Sequence, residues 1–411
     1  MKSLALGLSL AFSFTSLAQE WTQFRGPNGS GISHTPGIPA QWTPKDQAWT
    51  VKLPGEGHSS PVLWGNKLYI TSADARQSQT HLQCLEAATG NELWRESVAF
   101  KAYRQHQFNQ FAASTPAVDE KHVYVYQPGI DQSNLIAFDH AGNELWRHDL
   151  GATKSQHGGA TSPIVYQDQV IIANDHLGDS FLLALDCASG DVNWKTRRRQ
   201  ATKTAYGIPC VYRPENEAPS LIFNSEQHGI SAIDPQSGNL LWELDDLFKK
   251  RSVSSALFAN GLLIGSCGSG GGGNYVVAIH PGNRSGKKPD LAYEIRRSAP
   301  YVPTSVAVND LLFMISDAGV ASCVEAKTGK VIWNERIGGN YFSSPIWIEG
   351  RLFCPSRDGE VVVLRADREF DILARNPLEE NCHATPAVAN DKLFVRTLKT
   401  LYAIQSRGKA S

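Results

Sequence analysis

Short apolar strands, not helices, set the rhythm of the chain. An apolar triplet recurs at Leu68-Tyr69-Ile70, Val123-Tyr124-Val125, Val170-Ile171-Ile172, Leu221-Ile222-Phe223, Leu262-Leu263-Ile264, Leu312-Phe313-Met314, Leu352-Phe353-Cys354 and Leu393-Phe394-Val395. Polar turn residues bound each triplet before a helical period can develop, so each reads as a buried strand. A second column precedes them: Ser60-Pro61-Val62, Thr115-Pro116-Ala117, Ser162-Pro163-Ile164, Ile208-Pro209-Cys210, Ser255-Ala256-Leu257, Ser305-Val306-Ala307, Ser344-Pro345-Ile346 and Thr385-Pro386-Ala387. Proline is tolerated where a strand begins and no ladder donor is needed. Eight starts predict eight repeats of one unit.

A third pattern follows the triplets. The segments ending at Trp94, Trp146, Trp194, Trp242 and Trp333 each place a Trp four residues after a Gly, with an acid three or four residues before that Gly. Glycine supplies the positive φ of a tight turn, and the acid bonds the turn backbone. The Trp then opens a strand and packs its face between neighbouring sheets. The copies at Ile279 and Leu364 lack the Trp. Each unit therefore reads as four strands. The last unit ends at Gln405 without its fourth, while Ala48 to Leu53, with Trp49, resembles Leu93 to Val98. An N-terminal strand that completes the last unit closes a ring and hides the sheet edge. The expected fold is all-β, a single eight-bladed β-propeller with four antiparallel strands per blade, over residues 48–411.

The repeat resembles the tryptophan-docking motif of the PQQ-like (quinoprotein-type) propellers, in register over residues 48–406, and the opening Trp21-Thr22-Gln23-Phe24-Arg25-Gly26-Pro27 is similar to the start of many secreted members. The resemblance implies two functional branches. Quinoprotein dehydrogenases bind pyrroloquinoline quinone (PQQ) with Ca²⁺ and carry two adjacent cysteines, which this chain lacks. BamB-like proteins of outer-membrane protein assembly carry a lipidated Cys after the signal, where this chain has Gln19. No catalytic residue carries over from either branch. The expected role is an exported, non-catalytic binding or scaffold protein of the cell envelope, with a quinoprotein-type oxidoreductase and a BamB-like assembly factor as alternatives.

Composition sharpens this. Across 411 residues, 39 basic against 40 acidic side chains leave no basic excess for a nucleic-acid partner. Lys2, the apolar run Leu4 to Phe14 and the small residues before Gln19 form a secretory signal over residues 1–18, followed by an extension over 19–47. The expected location is periplasmic or secreted, as a monomer with an envelope protein or glycan as partner. The seven cysteines are odd in number and widely spaced, so they do not read as a disulfide framework, although one or two bridges among Cys187, Cys267, Cys354 and Cys382 stay open. Cys84 and Cys323 share a column with alanines and read as small core residues.

Function is expected on the face that carries the connections before each Ser-Pro strand and those after each apolar triplet. His58 and His383 share one repeat position in adjacent blades, either as a hydrogen-bonding pair or as two ligands of a metal site without a third. The long connection Phe100 to Ala113, with Tyr103, Arg104 and His106, is expected to line the mouth with Tyr206, Tyr301 and Tyr341, where sugar rings or a planar cofactor stack. Arg197, Arg198, Arg199 and Lys203, then Lys249, Lys250 and Arg251, then Arg296 and Arg297 form a basic arc that either docks an acidic partner or is a solvated rim. The Gly-rich run Gly268 to Gly273 opens no helix and reads as a loop between strands.

Overall fold

The computed structural model describes residues 20–407, so the signal segment lies outside the described residues. Eight sheets of four antiparallel strands form the propeller. Blade one runs through Val62–Trp64, Lys67–Asp74, Gln79–Glu86 and Glu92–Ala99, from the channel outward. The ring closes as its strand count requires. Blade eight supplies Ala387–Ala389, Lys392–Arg396 and Thr400–Gln405, and Gln47–Lys52 adds the outer strand, with Trp49 opposite Ala403.

The Gly-x-x-x-Trp unit is a clamp between neighbouring blades. Trp49 Nε1 donates to the Ala87 carbonyl at 3.1 Å, Trp94 to His140 at 3.1 Å, Trp146 to Cys187 at 3.0 Å, Trp194 to Pro235 at 2.9 Å and Trp333 to Asp367 at 3.0 Å. Each acceptor lies in the turn between third and fourth strands of the next blade, which in blade seven, at Asp367, lacks the acid and the glycine. Gly90 shows why glycine closes that turn. Its φ is +77°, and a Cβ there would stand 2.7 Å from the Trp49 ring. The two units without a Trp are filled differently. Tyr293 takes the place in blade five, its hydroxyl donating to the Ala326 carbonyl at 2.7 Å. In blade seven the position is Ala374, paired with Val363 as Trp333 is with Cys323. There Trp42, from the N-terminal extension, stacks on Phe353 at 6.5 Å. Phe353 is the counterpart of Phe394 and Phe313, against which Trp49 and Trp333 lie.

The column before each inner strand is a hydrogen-bonded ring. Backbone N–H groups donate to the hydroxyl of the next blade: Ser60 to Thr115, Thr115 to Ser162, Ile208 to Ser255, Ser255 to Thr304, Thr304 to Ser344 and Ser344 to Thr385, all at 2.9–3.0 Å. In blade six the register residue is Thr304, one residue earlier than the expected Ser305. Ser305 occupies the proline position and turns its carbonyl to Arg25, 2.8 Å from Nη2. The ring is open at two points: Ile208 has no hydroxyl to offer, and the buried Ser60 hydroxyl has no partner among the described residues.

Residues 20–33 cross the inner strands and close the channel. The Trp21 carbonyl accepts Leu63 N–H at 2.8 Å, Thr22 accepts Val118 at 2.9 Å, and Gly31 accepts Trp347 at 2.7 Å. The Asn28 side chain bonds both backbone groups of Val211. Ile32–Ser33 adds a parallel fifth strand to blade seven. Arg25 locks this arm. Its fully buried guanidinium donates to the carbonyls of Gly29, Ser30, Thr304, Ser305 and Pro345 at 2.8–3.2 Å. All seven cysteines are buried free thiols, so the bridges left open among Cys187, Cys267, Cys354 and Cys382 do not form. Cys84 and Cys323 lie in the core opposite Trp94 and Trp333.

Candidate functional site at the channel mouth

A cavity of about 930 Å³ opens on the face where the inter-blade connections and the second-to-third-strand turns converge. Phe24 of the N-terminal arm lines it, together with Thr115, Ser162, Thr304, Ser344 and Thr385 of the hydroxyl ring. The cavity therefore has a floor, and the channel is a pocket. The connection from blade one to blade two arches over one side. His106 meets His157 of the next connection at 4.5 Å between centroids. Phe108 of the same arch meets Phe342, between blades six and seven, at 5.6 Å.

Two histidine pairs face the cavity. His58 and His383 lie 4.2 Å apart between centroids, as their shared repeat position requires in adjacent blades. Burial first, then each other's positive form and the nearby Arg396 and Arg357, hold His58 well below the usual imidazole pKa. Burial, then Arg357, lowers His383 to about 4. Burial, then Arg251 and His106, lowers His157 to about 4. These three rings are neutral at pH 7, and a neutral imidazole offers one donor and one acceptor. His383 Nδ1 is buried without a partner. Among the described residues no three His, Cys, Asp or Glu side chains cluster to hold a metal ion.

The charges are unequal. Three guanidiniums, Arg251, Arg296 and Arg357, line the cavity against one carboxylate, Asp317. Arg251 Nη1 reaches His157 Nε2 at 2.8 Å and Tyr301 Oη at 3.2 Å, and Nη2 reaches Gln156 Oε1 at 3.1 Å. Arg357 lies over the rings of Phe108 and Phe342, 4.1 and 4.5 Å from their centroids. Asp317 accepts the backbone N–H of Tyr301 at 2.6 Å and of Val302 at 3.2 Å, while burial raises its pKa.

With this geometry stands a family match. Residues 42–205 and 226–409 match the sequence model of the family described as outer membrane protein assembly factor BamB. The chain belongs to the BamB family. Outer membrane protein assembly factor BamB of Yersinia pestis is 20% identical over 377 residues, covering 89% of this chain and 79% of the relative. The BamB structure from Moraxella catarrhalis has a TM-score of 0.63 at 14% identity, covering 87% of this chain and 99% of that one. A europium-containing methanol dehydrogenase has a TM-score of 0.68 at 13% identity, over 92% of this chain and 89% of that one. At these identities the solved structures share the fold.

In this BamB-type propeller the expected site residues divide. His58, His106, Tyr206, Tyr301, His383, Arg251 and Arg296 line the cavity. Tyr103 lies behind it, edge-on to Phe111 at 5.1 Å. Arg104 is exposed outside the lining. Tyr341 is 1% exposed and packs with Phe313 and Trp333 in the core. The basic arc is largely neutralised. Arg198 is buried beside Asp175 at 3.6 Å, Arg199 meets Glu243 at 2.6 Å, and Lys203 meets Glu226 at 3.2 Å. Lys249 pairs with Asp246 and Arg296 with Glu294. Lys250 turns to the Gly272 carbonyl, while Arg197 and Arg297 are exposed.

Sequence reasoning did not single out Arg357, Asp317 or Phe24. Arg357 and Asp317 sit in the Ser-Arg-Asp-Gly and Ser-Asp-Ala-Gly turns after the apolar triplets of blades seven and six. The repeat register put those turns on the mouth face, so charge read loop by loop was the available signal. The glycine-rich loop is part of the same lining, through Ser269, Gly270, Gly272 and Gly273.

Proposed function

We propose that the protein is an exported, non-catalytic binding propeller of the cell envelope, working through the mouth face. The observation that supports this is the pocket. The N-terminal arm floors the channel, leaving a cavity of about 930 Å³ with polar and aromatic walls, within the roughly 300–1,000 Å³ range of ligand sites. Family membership supports an envelope location, since the named relatives are assembly factors of the outer membrane. Among the described residues no helix is long and apolar enough to cross a membrane.

The donor set does not fit a Ca²⁺-held quinone. Calcium takes six to eight oxygen ligands, usually several carboxylates. The lining has one carboxylate, Asp317, which already accepts two backbone N–H groups. A protein scaffold in the manner of the assembly factors is the second reading, and the match over both halves of the ring favours it.

Native mass spectrometry of the protein recovered from its own envelope tests the proposal. A bound small molecule is expected, absent from Ala160→Trp, which puts an indole into the cavity. An envelope protein that co-purifies equally with both forms, with no small molecule, supports the scaffold instead. Dye reduction that needs added PQQ, Ca²⁺ and an alcohol would overturn the non-catalytic reading.

A further inference from the structure

The cavity treats its cations unlike the rest of the surface. Many surface arginines sit on carboxylates: Arg95 on Glu92 at 2.7 Å, Arg147 on Glu144 at 2.7 Å, Arg365 on Asp371 at 2.9 Å and Arg375 on Glu360 at 2.7 Å. Those pairs are solvated and need no partner. Inside the cavity Arg296 keeps such a partner in Glu294, but the other two guanidiniums do not. Among the described residues neither Arg251 nor Arg357 has a carboxylate within 4.0 Å of its guanidinium nitrogens, and in each the Nε is buried without a hydrogen bond. The Arg357 guanidinium makes no side-chain hydrogen bond among the described residues; it rests on two aromatic faces and feels the Asp317 carboxylate only at a distance. A charge held part-buried without a counter-ion is costly unless an anion arrives to pair with it. Arg251 and Arg357 come from different sides of the mouth, the junction of blades four and five and the turn of blade seven. A ligand that meets both carries more than one anionic group.

The remaining walls describe the rest of that ligand. Asn274, Asn340, Ser269 and Ser298 offer amides and hydroxyls, and Tyr206 and Tyr301 add phenols. A neutral imidazole complements a hydroxyl group, and His383 keeps a ring nitrogen, Nδ1, without a partner. Phe108 and Phe342 present aromatic carbon at one side, which suits the apolar face of a sugar ring.

We propose that the mouth cavity binds an acidic oligosaccharide, its carboxylate or sulfate groups paired with Arg357 and Arg251 and its hydroxyls with the histidines and amides. This rests on the binding-protein reading and gives it a ligand class. Arg357 and Arg251 are binding residues, and the Phe108 arch covers the bound chain.

The test is calorimetric titration of the protein with a galacturonate hexasaccharide, a heparin-derived hexasaccharide, maltohexaose and a short poly-glutamate peptide. The first two probes separate carboxylate from sulfate sources. One or both bind, more weakly at high salt, and maltohexaose and poly-glutamate do not. Arg357→Gln and Arg251→Gln each weaken binding at least about tenfold, the loss of one charge-assisted contact. Arg104→Gln, a basic change outside the lining, leaves it unaltered. Without ligand, Arg357→Gln melts no lower than the parent, because it removes an uncompensated charge; a guanidinium that served only the fold would show a lower melting temperature. Equal binding of maltohexaose or poly-glutamate, or anionic binding indifferent to both arginine variants, overturns the proposal. If no probe binds while native mass spectrometry still finds a bound molecule, the ligand class is wrong and the binding reading survives. If neither is seen, both fall.

Discussion

Arg25→Met tests the closed floor of the channel. Methionine keeps much of the length and bulk and removes every donor. Five carbonyls, from Gly29, Ser30, Thr304, Ser305 and Pro345, lose their partner inside the protein. At about 1 kcal/mol for each buried acceptor left short, the loss is about 5 kcal/mol. The guanidinium's own burial works the other way. It is fully buried, and desolvation lowers its pKa to about 9; replacing a buried charge by an apolar residue of similar volume recovers about 2 kcal/mol. The net cost is about 3 kcal/mol. Unfolding entropy of about 2.1 cal/mol/K per residue, over residues 20–407, gives about 0.8 kcal/mol/K. Scanning calorimetry should therefore show melting about 4 °C lower. Chymotrypsin should cut after Phe24 in the variant and spare it in the parent, because the arm is released locally. Loss of Phe24 from the floor should also abolish ligand retention. A variant that melts with the parent and keeps Phe24 protected would refute the reasoning, leaving the arm held by its strand contacts alone.

Three further outcomes follow from the same structure. Trp42→Ala should cost about 3–5 kcal/mol, as removal of a buried aromatic does, and should melt like a docking-Trp variant such as Trp333→Ala although Trp42 lies outside the repeat; a change under about 1 kcal/mol would sink the equivalence. His157 and His383 have folded pKa values of about 4 against about 6.5 unfolded, so the unfolded chain binds more protons between those values; stability should be flat above pH 7 and fall from pH 6.5 to about 4, with Phe→Trp at position 108 reporting the arch by fluorescence, and a flat profile over that window would contradict it. Native protein should show no thiol reactive to a chromogenic disulfide at pH 8, since burial raises Cys210 and Cys382 to about 12, whereas denatured protein should show all seven.

What the sequence made legible was whatever repeats. Strand count, ring closure through Trp49 and the pairing of His58 with His383 all follow from register, because equivalent positions in neighbouring blades must be neighbours in space. Single departures were not legible. The Ser305 register was one residue late because blade six has Ser305 in place of proline, and the repeat cannot show which hydroxyl reaches Ser255. Trp42 fills the gap of Ala374 from over three hundred residues away, a contact with no local signal. The basic arc looked like one surface because the register puts the ends of three neighbouring blades on one face. In space Arg198 turns inward to Asp175 while Arg251 turns to the mouth.

The same contrast underlies the proposed site. A residue repeated in register serves the ring: the docking tryptophans, their glycines and the hydroxyl column are the means by which blades hold one another. Arg251, Arg357 and Asp317 are residue types the repeat does not keep, with Asp317 and Arg357 differing at one shared turn position, yet the ring places them on one cavity. Unlike Arg25, whose buried guanidinium is met by five carbonyls, Arg251 and Arg357 leave buried donors without a hydrogen bond at the pocket. A fold tolerates such positions when a ligand completes them. The closed floor adds to this, because an open channel would hydrate the same arginines from both ends and weaken each contact. By sealing one end, the N-terminal arm raises the strength of the charges at the other. Releasing the arm should thus weaken anionic binding even where Arg251 and Arg357 are untouched.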